Sequence, residues 1–95
     1  MIERHVTFDV FPDKADQFLK LFIEEYRPAM ASMPGFVKVE LLREQVDPQK
    51  FHMIIRFETA DTAAAWRESD LHKALSPRLK ALYKESQLVV YDFVA

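Results

Sequence analysis

The sequence predicts an α+β fold: a ferredoxin-like β-α-β-β-α-β sandwich, with a four-stranded antiparallel sheet and helices on one face. Two observations lead to this prediction. Four segments show the alternation or the apolar runs of strands, and the two long segments between them show helical spacing. With right-handed crossovers, this order of elements gives the sandwich. A chain of 95 residues fits one domain, so residues 1–95 are interpreted as a single domain.

The first strand is predicted over residues 2–11, where side chains alternate between two faces. One face carries Ile2, Arg4, Val6, Phe8 and Val10; the other carries Glu3, His5, Thr7, Asp9 and Phe11. Pro12 ends this strand, and Asp13 is the predicted N-cap of the helix that follows. Pro28 lacks an amide hydrogen and clashes with the preceding turn, so it is expected to break or kink the helix. A short second helical piece is predicted over residues 29–33.

The second and third strands are predicted to form a hairpin. The Met33–Phe36 segment is a turn, in which Gly35 supplies a positive φ angle. The second strand is predicted to place Val37, Val39 and Leu41 on one face, and Phe36, Lys38, Glu40 and Leu42 on the other. After a turn at Asp47–Lys50, the third strand is predicted over residues 51–57.

Two capping residues organise the second helical region. Thr59 is the predicted cap of a helix that carries Trp66, the only tryptophan, and Ser69 is a second cap. Ser76 followed by Pro77 predicts that the helix restarts there, because proline favours the first helical position. The last strand is predicted over residues 88–94 and is apolar on both faces.

The predicted sheet has one face that the helices leave open. This face is expected to carry the apolar residues Phe11, Phe36, Leu42 and Ile54, together with half of the last strand. Monomers rarely expose a large apolar patch. Two sheets packed face to face about a twofold axis bury it, so the sequence predicts a homodimer through the open sheet face.

Composition excludes several classes of function. The net charge is −2 and acids and bases are interspersed, so neither nucleic acid nor an anionic membrane is an expected partner. There is no cysteine, which excludes disulfides and thiolate chemistry, and the single glycine excludes a glycine-rich phosphate loop. The chain begins with no signal-peptide pattern and has no long apolar run, so a cytoplasmic location is expected.

Three segments carry a resemblance to a known family. The helix start at Asp13–Phe18, the turn at Met33–Phe36 and the stretch Phe57–Ser76 resemble, in order and spacing, the antibiotic-biosynthesis-monooxygenase (ABM) family. The resemblance implies a ferredoxin-like protomer that forms a dimeric α/β barrel. It also implies a cofactor-independent monooxygenase that holds a small aromatic or quinone-like molecule between helices and sheet. Two alternatives stay open: a non-catalytic ligand-binding or stress-associated barrel protein, and a haem-degrading oxygenase.

Some of the family's functional residues have counterparts in this sequence, and others do not. Trp66 matches a tryptophan that lines the ligand cleft of the family's polyketide and haem oxygenases. The polyketide oxygenases have an asparagine one turn earlier, where this chain has Thr62, and the chain contains no asparagine. Haem-degrading members have an asparagine near the position of Val6 and a histidine where this chain has Ser76. His72 lies close to a histidine that is common in this segment of the family.

Trp66 and His72 are the candidate catalytic residues. An indole ring stacks on a polycyclic substrate, and an imidazole titrates near neutral pH and is suited to removing a phenol or anthrone proton. The alternative interpretations are a half-buried core tryptophan and a surface histidine. The candidate substrate-binding residues are Tyr26, Val6, Phe22 and Thr62.

No metal and no other cofactor is predicted. His5 and His52 are expected on the same face as Asp9 and Glu40, which makes a metal site conceivable. Their spacing matches no recognised ligand pattern, so the favoured interpretation is hydrogen bonding at an interface.

Overall fold

The computed structural model describes residues 1–95 and has the predicted ferredoxin-like architecture. The strands are β1 (Ile2–Val10), β2 (Phe36–Arg43), β3 (Lys50–Phe57) and β4 (Tyr83–Asp92). They form one antiparallel sheet in the order β2-β3-β1-β4, which does not close into a barrel. The α-helices are α1 (Ala15–Leu21), α2 (Arg27–Ala31), α3 (Ala60–Glu68) and α4 (Asp70–Lys80).

The strand register places alternate side chains of β1 and β3 under the helices. Phe8 lies opposite Phe51, and Val6 lies opposite Met53. These parities bury Phe8, Val10 and all four apolar residues of β3 on that side, as the alternation predicted. The core contains sixteen buried residues, all apolar or aromatic. Its largest fully buried side chains are Trp66, Phe18, Phe22, Phe57, Met30 and Val10.

The predicted face of Phe36 is wrong because β2 contains a bulge. Phe36 pairs with Phe57, whereas Lys38 pairs with the next residue, Arg56, so the strand has one extra residue at Val37. A bulge reverses the alternation for the residues on one side of it. Phe36 therefore packs on the helix side against Phe57, with ring centroids 5.9 Å apart. Val37, predicted to face the core, is exposed.

The first helix continues through Pro28 with a change in hydrogen bonding. A π-helical segment over Phe22–Tyr26 joins α1 to α2, and the Arg27 amide donates to the Phe22 carbonyl five residues earlier. The wider turn accommodates the proline ring, so the helix is altered before Pro28 and is not broken there. The predicted N-cap at Asp13 is wrong, because Pro12 starts a 3₁₀ turn that contains Asp13 and no side chain caps the helix.

The two predicted caps of the second helical region are confirmed. Thr59 and Thr62 form a capping box at the start of α3, with each backbone amide 3.1 Å from the other hydroxyl. The Ser69 hydroxyl accepts from the His72 amide at 3.1 Å and starts α4. The predicted restart at Pro77 is wrong, because α4 runs through it. Leu75 and Leu79, one turn apart and both buried, hold this part of the helix on the core.

The last strand starts five residues before its predicted beginning. Tyr83 is the first residue of β4, and its ring centroid lies 5.0 Å from that of Phe8. Residues 83–87 are mostly polar, and the hydrogen bonds to β1 override this weak strand propensity. No helix in the chain is long and apolar enough to span a membrane.

The turn before β2 generates a stability prediction. Gly35 has a φ angle of +77°, and a Cβ atom there would lie 2.5 Å from Cγ2 of Thr62. Gly35→Ala is therefore expected to lower the free energy of unfolding by at least about 1 kcal/mol, from backbone strain and from this clash. Urea denaturation followed by Trp66 fluorescence measures the change. Ser32→Ala, an exposed change in the same connection, is the control. Equal stability of Gly35→Ala and the control would contradict the packing described.

Candidate functional site

Three rings from three helical segments meet between the helices and the sheet. Tyr26 comes from the π-helical segment, Trp66 from α3 and His72 from α4. The Trp66 ring lies edge to face with both others, its centroid 5.5 Å from that of Tyr26 and 5.1 Å from that of His72. The Tyr26 and His72 centroids are 6.3 Å apart. These three residues form the aromatic cluster, which unites both candidate catalytic residues with the predicted Tyr26.

Ser69 sets the relative position of Trp66 and His72. Its hydroxyl donates to the Trp66 carbonyl at 2.7 Å and accepts from the His72 amide at 3.1 Å. The backbone of Ser69 is extended, so the chain changes direction between α3 and α4. On one straight helix, residues six apart lie on different faces. The turn at Ser69 is therefore what brings the two rings into contact.

Burial keeps the Tyr26 hydroxyl protonated. It raises the pKa of Tyr26 to about 12, although the Trp66 side chain and the Arg4 guanidinium act in the opposite direction. A phenol with this pKa carries its proton at neutral pH and can donate a hydrogen bond. Tyr26 is thus suited to orient or protonate a ligand oxygen, and unsuited to act as a base.

His72 is held in its neutral form. Burial lowers the pKa of His72, and the charges of Arg4, Arg67 and Lys80 lower it further. The neutral imidazole has one nitrogen with a free electron pair, which is the form that accepts a proton. His72 is only partly buried, so this group is accessible at the margin of the cluster.

The other predicted substrate-binding residues occupy different positions. Phe22 is buried and stacks on Tyr26 with centroids 6.3 Å apart, which places it beside the aromatic cluster. Val6 is half-buried on the helix side of β1, opposite Leu88 of β4. Thr62 is committed to the capping box, where its hydroxyl also donates to the Thr59 carbonyl at 2.9 Å. A role for Thr62 in ligand binding stays a prediction.

Sequence reasoning missed Arg4 as a member of this site. Arg4 lies on the helix side of β1 among apolar neighbours, and its charge acts on both Tyr26 and His72. The available signal was a single charged residue in the apolar half of an alternating strand. Sequence reasoning placed Arg4 on this face and did not name it as a site residue.

Two cavities of about 420 and 430 Å³ lie away from the aromatic cluster. The first is on the open sheet face and is bordered by Asp9, Lys50 and His52. The second lies between the first helix and α4. The space beneath α3 is instead filled by core side chains, and Trp66 is only 2% exposed.

The open sheet face carries a hydrogen-bonded chain of polar side chains. His5 Nδ1 lies 2.9 Å from His52 Nε2, and His5 Nε2 lies 2.8 Å from a carboxylate oxygen of Glu3. Arg56 donates to the other oxygen of Glu3 at 2.7 Å through Nε. His5 and His52 are thus on one face, as predicted, and bonded to each other. No group of three or more His, Cys, Asp or Glu side chains is arranged to hold a metal ion.

Most of the sequence matches the model of one protein family. The family model described as antibiotic biosynthesis monooxygenase matches residues 1–78. The chain belongs to this family. The resemblance found in the three sequence segments is therefore confirmed.

Solved structures of the family have the same fold. A candidate antibiotic biosynthesis monooxygenase from Nitrosomonas europaea is 20% identical, with 100% of each chain covered and a TM-score of 0.89. Another from Caulobacter crescentus CB15 is 21% identical, with 99% of this chain and 90% of that chain covered and a TM-score of 0.90. SnoaB, a cofactor-independent oxygenase from Streptomyces nogalater, is 20% identical over 99% and 93% of the chains, with a TM-score of 0.89. A comparison with curated proteins finds no match.

The lowered pKa of His72 predicts that this ABM protein loses stability in acid. As pH falls below the ordinary histidine pKa of about 6.5, the unfolded chain binds a proton before the folded chain does. The contribution of His72 to stability is therefore present above that pH and is lost as pH falls through the folded pKa. His72→Gln is expected to shrink the difference in free energy of unfolding between about pH 7.5 and about pH 5.5.

The control for this measurement is Lys73→Gln, which removes a neighbouring exposed charge. Urea denaturation at both pH values gives the free energies. The pKa of His52 is also lowered by burial, so part of the acid loss is expected to remain in His72→Gln. An unchanged pH dependence in His72→Gln would contradict the burial of a neutral imidazole.

Proposed function

We propose that this chain is a cofactor-independent monooxygenase that acts on a small aromatic or quinone-like molecule beside the aromatic cluster. The observation that carries the proposal is the contact between Trp66 and a partly buried, neutral His72. Membership of the ABM family and the fold shared with SnoaB support it. His72 is the proposed general base, Trp66 shields the reacting carbon from water, and Tyr26 donates to a substrate oxygen.

The proposed reaction needs only substrate and dioxygen. His72 removes a proton from a CH₂ group that is acidified by adjacent aromatic rings, which leaves an electron-rich carbanion. The carbanion transfers one electron to dioxygen, and the radical pair forms a C–O bond as a peroxide. Loss of the second C–H proton and cleavage of the O–O bond give a ketone and hydroxide. Hydroxide takes the proton held by His72, so CH₂ and dioxygen become C=O and water.

A second candidate function is a non-catalytic ligand-binding module with the same fold. The absence of any asparagine favours this alternative, because the family's polyketide oxygenases have one where this chain has Thr62. In the enzymatic proposal, the ligand approaches from the partly exposed His72 side and the Trp66 edge forms the inner wall. Ligand binding with no oxygen consumption would support the module and overturn the oxygenase.

We also propose that the protein is a homodimer through the open sheet face. This face exposes Leu42, Val89 and Tyr91, with 53%, 51% and 48% of their surface in contact with solvent. The polar chain from Arg56 to His52 lies on the same face with its charges already paired. A second copy about a twofold axis would bury these apolar residues, and the cations Arg56 and Lys38 would enter the interface already bonded to Glu3 and Glu40.

The dimer is tested by sedimentation velocity at micromolar concentration. Val89→Glu places a charge in the proposed interface and is expected to give monomers, because an unpaired buried charge is costly. Ile23→Glu is the matched control, since Ile23 is exposed to a similar degree, 48%, on the outer side of the first helix. A monomeric wild-type protein, or equal effects of the two substitutions, would sink the proposal.

Turnover is tested with dithranol, an anthrone with an acidic CH₂ group. Oxygen uptake is measured with an electrode against a protein-free blank, and binding is followed by Trp66 emission with inner-filter correction. We expect one dioxygen consumed for each dithranol, a loss of about a hundredfold or more in kcat for His72→Gln, and impaired turnover in Trp66→Phe. Lys73→Gln should retain the wild-type rate. Full activity in both His72→Gln and Trp66→Phe would refute the assigned site.

A further inference from the structure

Arg4 is a partly buried cation without a partner. Only two of the six arginines, Arg4 and Arg56, are shielded from solvent. Arg56 pairs with Glu3 and lies over the ring of Phe93, with its guanidinium carbon 4.1 Å from the centroid. Arg4 has no carboxylate, no hydrogen bond and no aromatic ring against its guanidinium. Shielding an unpaired charge is costly, so such a group needs a reason to be retained.

The surroundings of Arg4 are positive. Burial lowers the pKa of Arg4 and the nearby charge of Arg67 lowers it further, while Arg4, Arg67 and Lys80 all act on His72. No carboxylate is among the groups that act on Arg4 or His72. A cluster of cations without acids attracts an anion, and the attraction strengthens where solvent is partly excluded.

An apolar strip that no helix covers lies beside Arg4. The register places Val90 beside Arg4 and Leu88 beside Val6, all on the helix side of the sheet. The helices bury the corresponding residues of β3 but leave Leu88 and Val90 47% and 49% exposed. Leu88 and Val90 thus form an exposed apolar strip on β4, directly next to the cation Arg4.

We propose that this strip and Arg4 together bind an aromatic molecule that carries an anionic oxygen, with the ring on Leu88 and Val90 and the oxyanion on Arg4. The inference rests on the proposed function, because it specifies the ligand of that site as an aromatic oxyanion. Arg4 acts as the group that orients the ligand, and His72 lies within the same positive field.

This arrangement has a consequence for the proposed proton transfer. Removing a proton from a phenol or an anthrone creates negative charge that is delocalised onto an oxygen. A fixed guanidinium stabilises that charge and costs no rearrangement during the reaction. Two parallel N–H donors also fix the orientation of the oxygen. Arg4 therefore favours the ionised form of the ligand over the neutral form.

A purely structural role is the competing explanation. The aliphatic part of an arginine can cover apolar surface while its head remains near solvent, and this would explain Arg4 without a ligand. The two explanations differ in one respect. A structural arginine affects all ligands alike or through stability, whereas an anchoring arginine distinguishes an anion from a neutral molecule of equal size.

The test compares two naphthoquinones of similar shape. 2-Hydroxy-1,4-naphthoquinone is ionised at neutral pH, and 2-methyl-1,4-naphthoquinone is neutral. Isothermal titration gives their Kd for the wild-type protein and for Arg4→Gln, Arg4→Lys and Arg67→Gln, which removes an exposed cation of the same cluster. We expect the anion to bind more tightly to the wild-type protein. Arg4→Gln should weaken the anion about tenfold or more and leave the neutral quinone unchanged. Arg4→Lys should retain part of the preference, and Arg67→Gln most of it.

Two outcomes overturn the inference. Equal affinity of the wild-type protein for the two quinones removes the anion preference. Equal weakening of both quinones in Arg4→Gln, with an unchanged melting temperature, assigns Arg4 a structural role. If Arg4→Gln does not fold, the wild-type comparison and Arg4→Lys still decide. Oxygen uptake from dithranol is measured separately. An anion preference without oxygen uptake supports this inference and refutes the oxygenase. Oxygen uptake without an anion preference supports the oxygenase and refutes this inference.

Discussion

Packing of aromatic rings between the helices and the sheet is the interaction on which the rest of the structure depends. Phe18 of α1 lies 5.1 Å from Phe8 of β1 and 5.0 Å from Phe51 of β3, so one ring fixes the helix on two strands. Trp66 joins α3 to the π-helical segment through Tyr26 and to α4 through His72. Large rings bury much apolar surface and have few rotamers, so they define the helix positions closely. The candidate site is the end of this packed layer where its last ring, His72, reaches solvent.

Periodicity identified the elements of this fold, and it failed where one residue changes the phase of the pattern. The extra residue at Val37 moved Phe36 to the other face, and no local feature of the sequence marks that bulge. Pro28 and Pro77 were both expected to interrupt helices, but the burial of side chains on either side of each outweighs the lost hydrogen bond. The start of β4 was missed because its first residues are polar and are held by pairing with β1.

The residues of the candidate site could be proposed from the sequence, but their geometry could not. Trp66, His72 and Tyr26 were identified from residue type and from the family resemblance, and the structure brings them together. Their contact depends on the direction change at Ser69, which a cap predicts only in outline. Arg4 was overlooked because an alternating pattern counts apolar matches and tolerates one exception. Arg4 is informative because an unpaired charge at a core-facing position lowers the stability of the fold.

The pairing of charges distinguishes the two faces of the sheet. On the open face, Arg56 is bonded to Glu3, Lys38 to Glu40, and Lys50 lies 3.6 Å from Asp9. A surface with its charges satisfied internally can meet another copy of itself without repulsion or desolvation of lone ions. On the helix side, no carboxylate is among the groups that act on Arg4 or His72, and Arg4 has no ion pair within the chain. Charges that are already paired within one chain can be buried in a protein interface. The unpaired positive charge of Arg4 is instead suited to binding a negatively charged ligand. The two proposed roles, a dimer interface on one face and a ligand site on the other, therefore rest on the same physical argument.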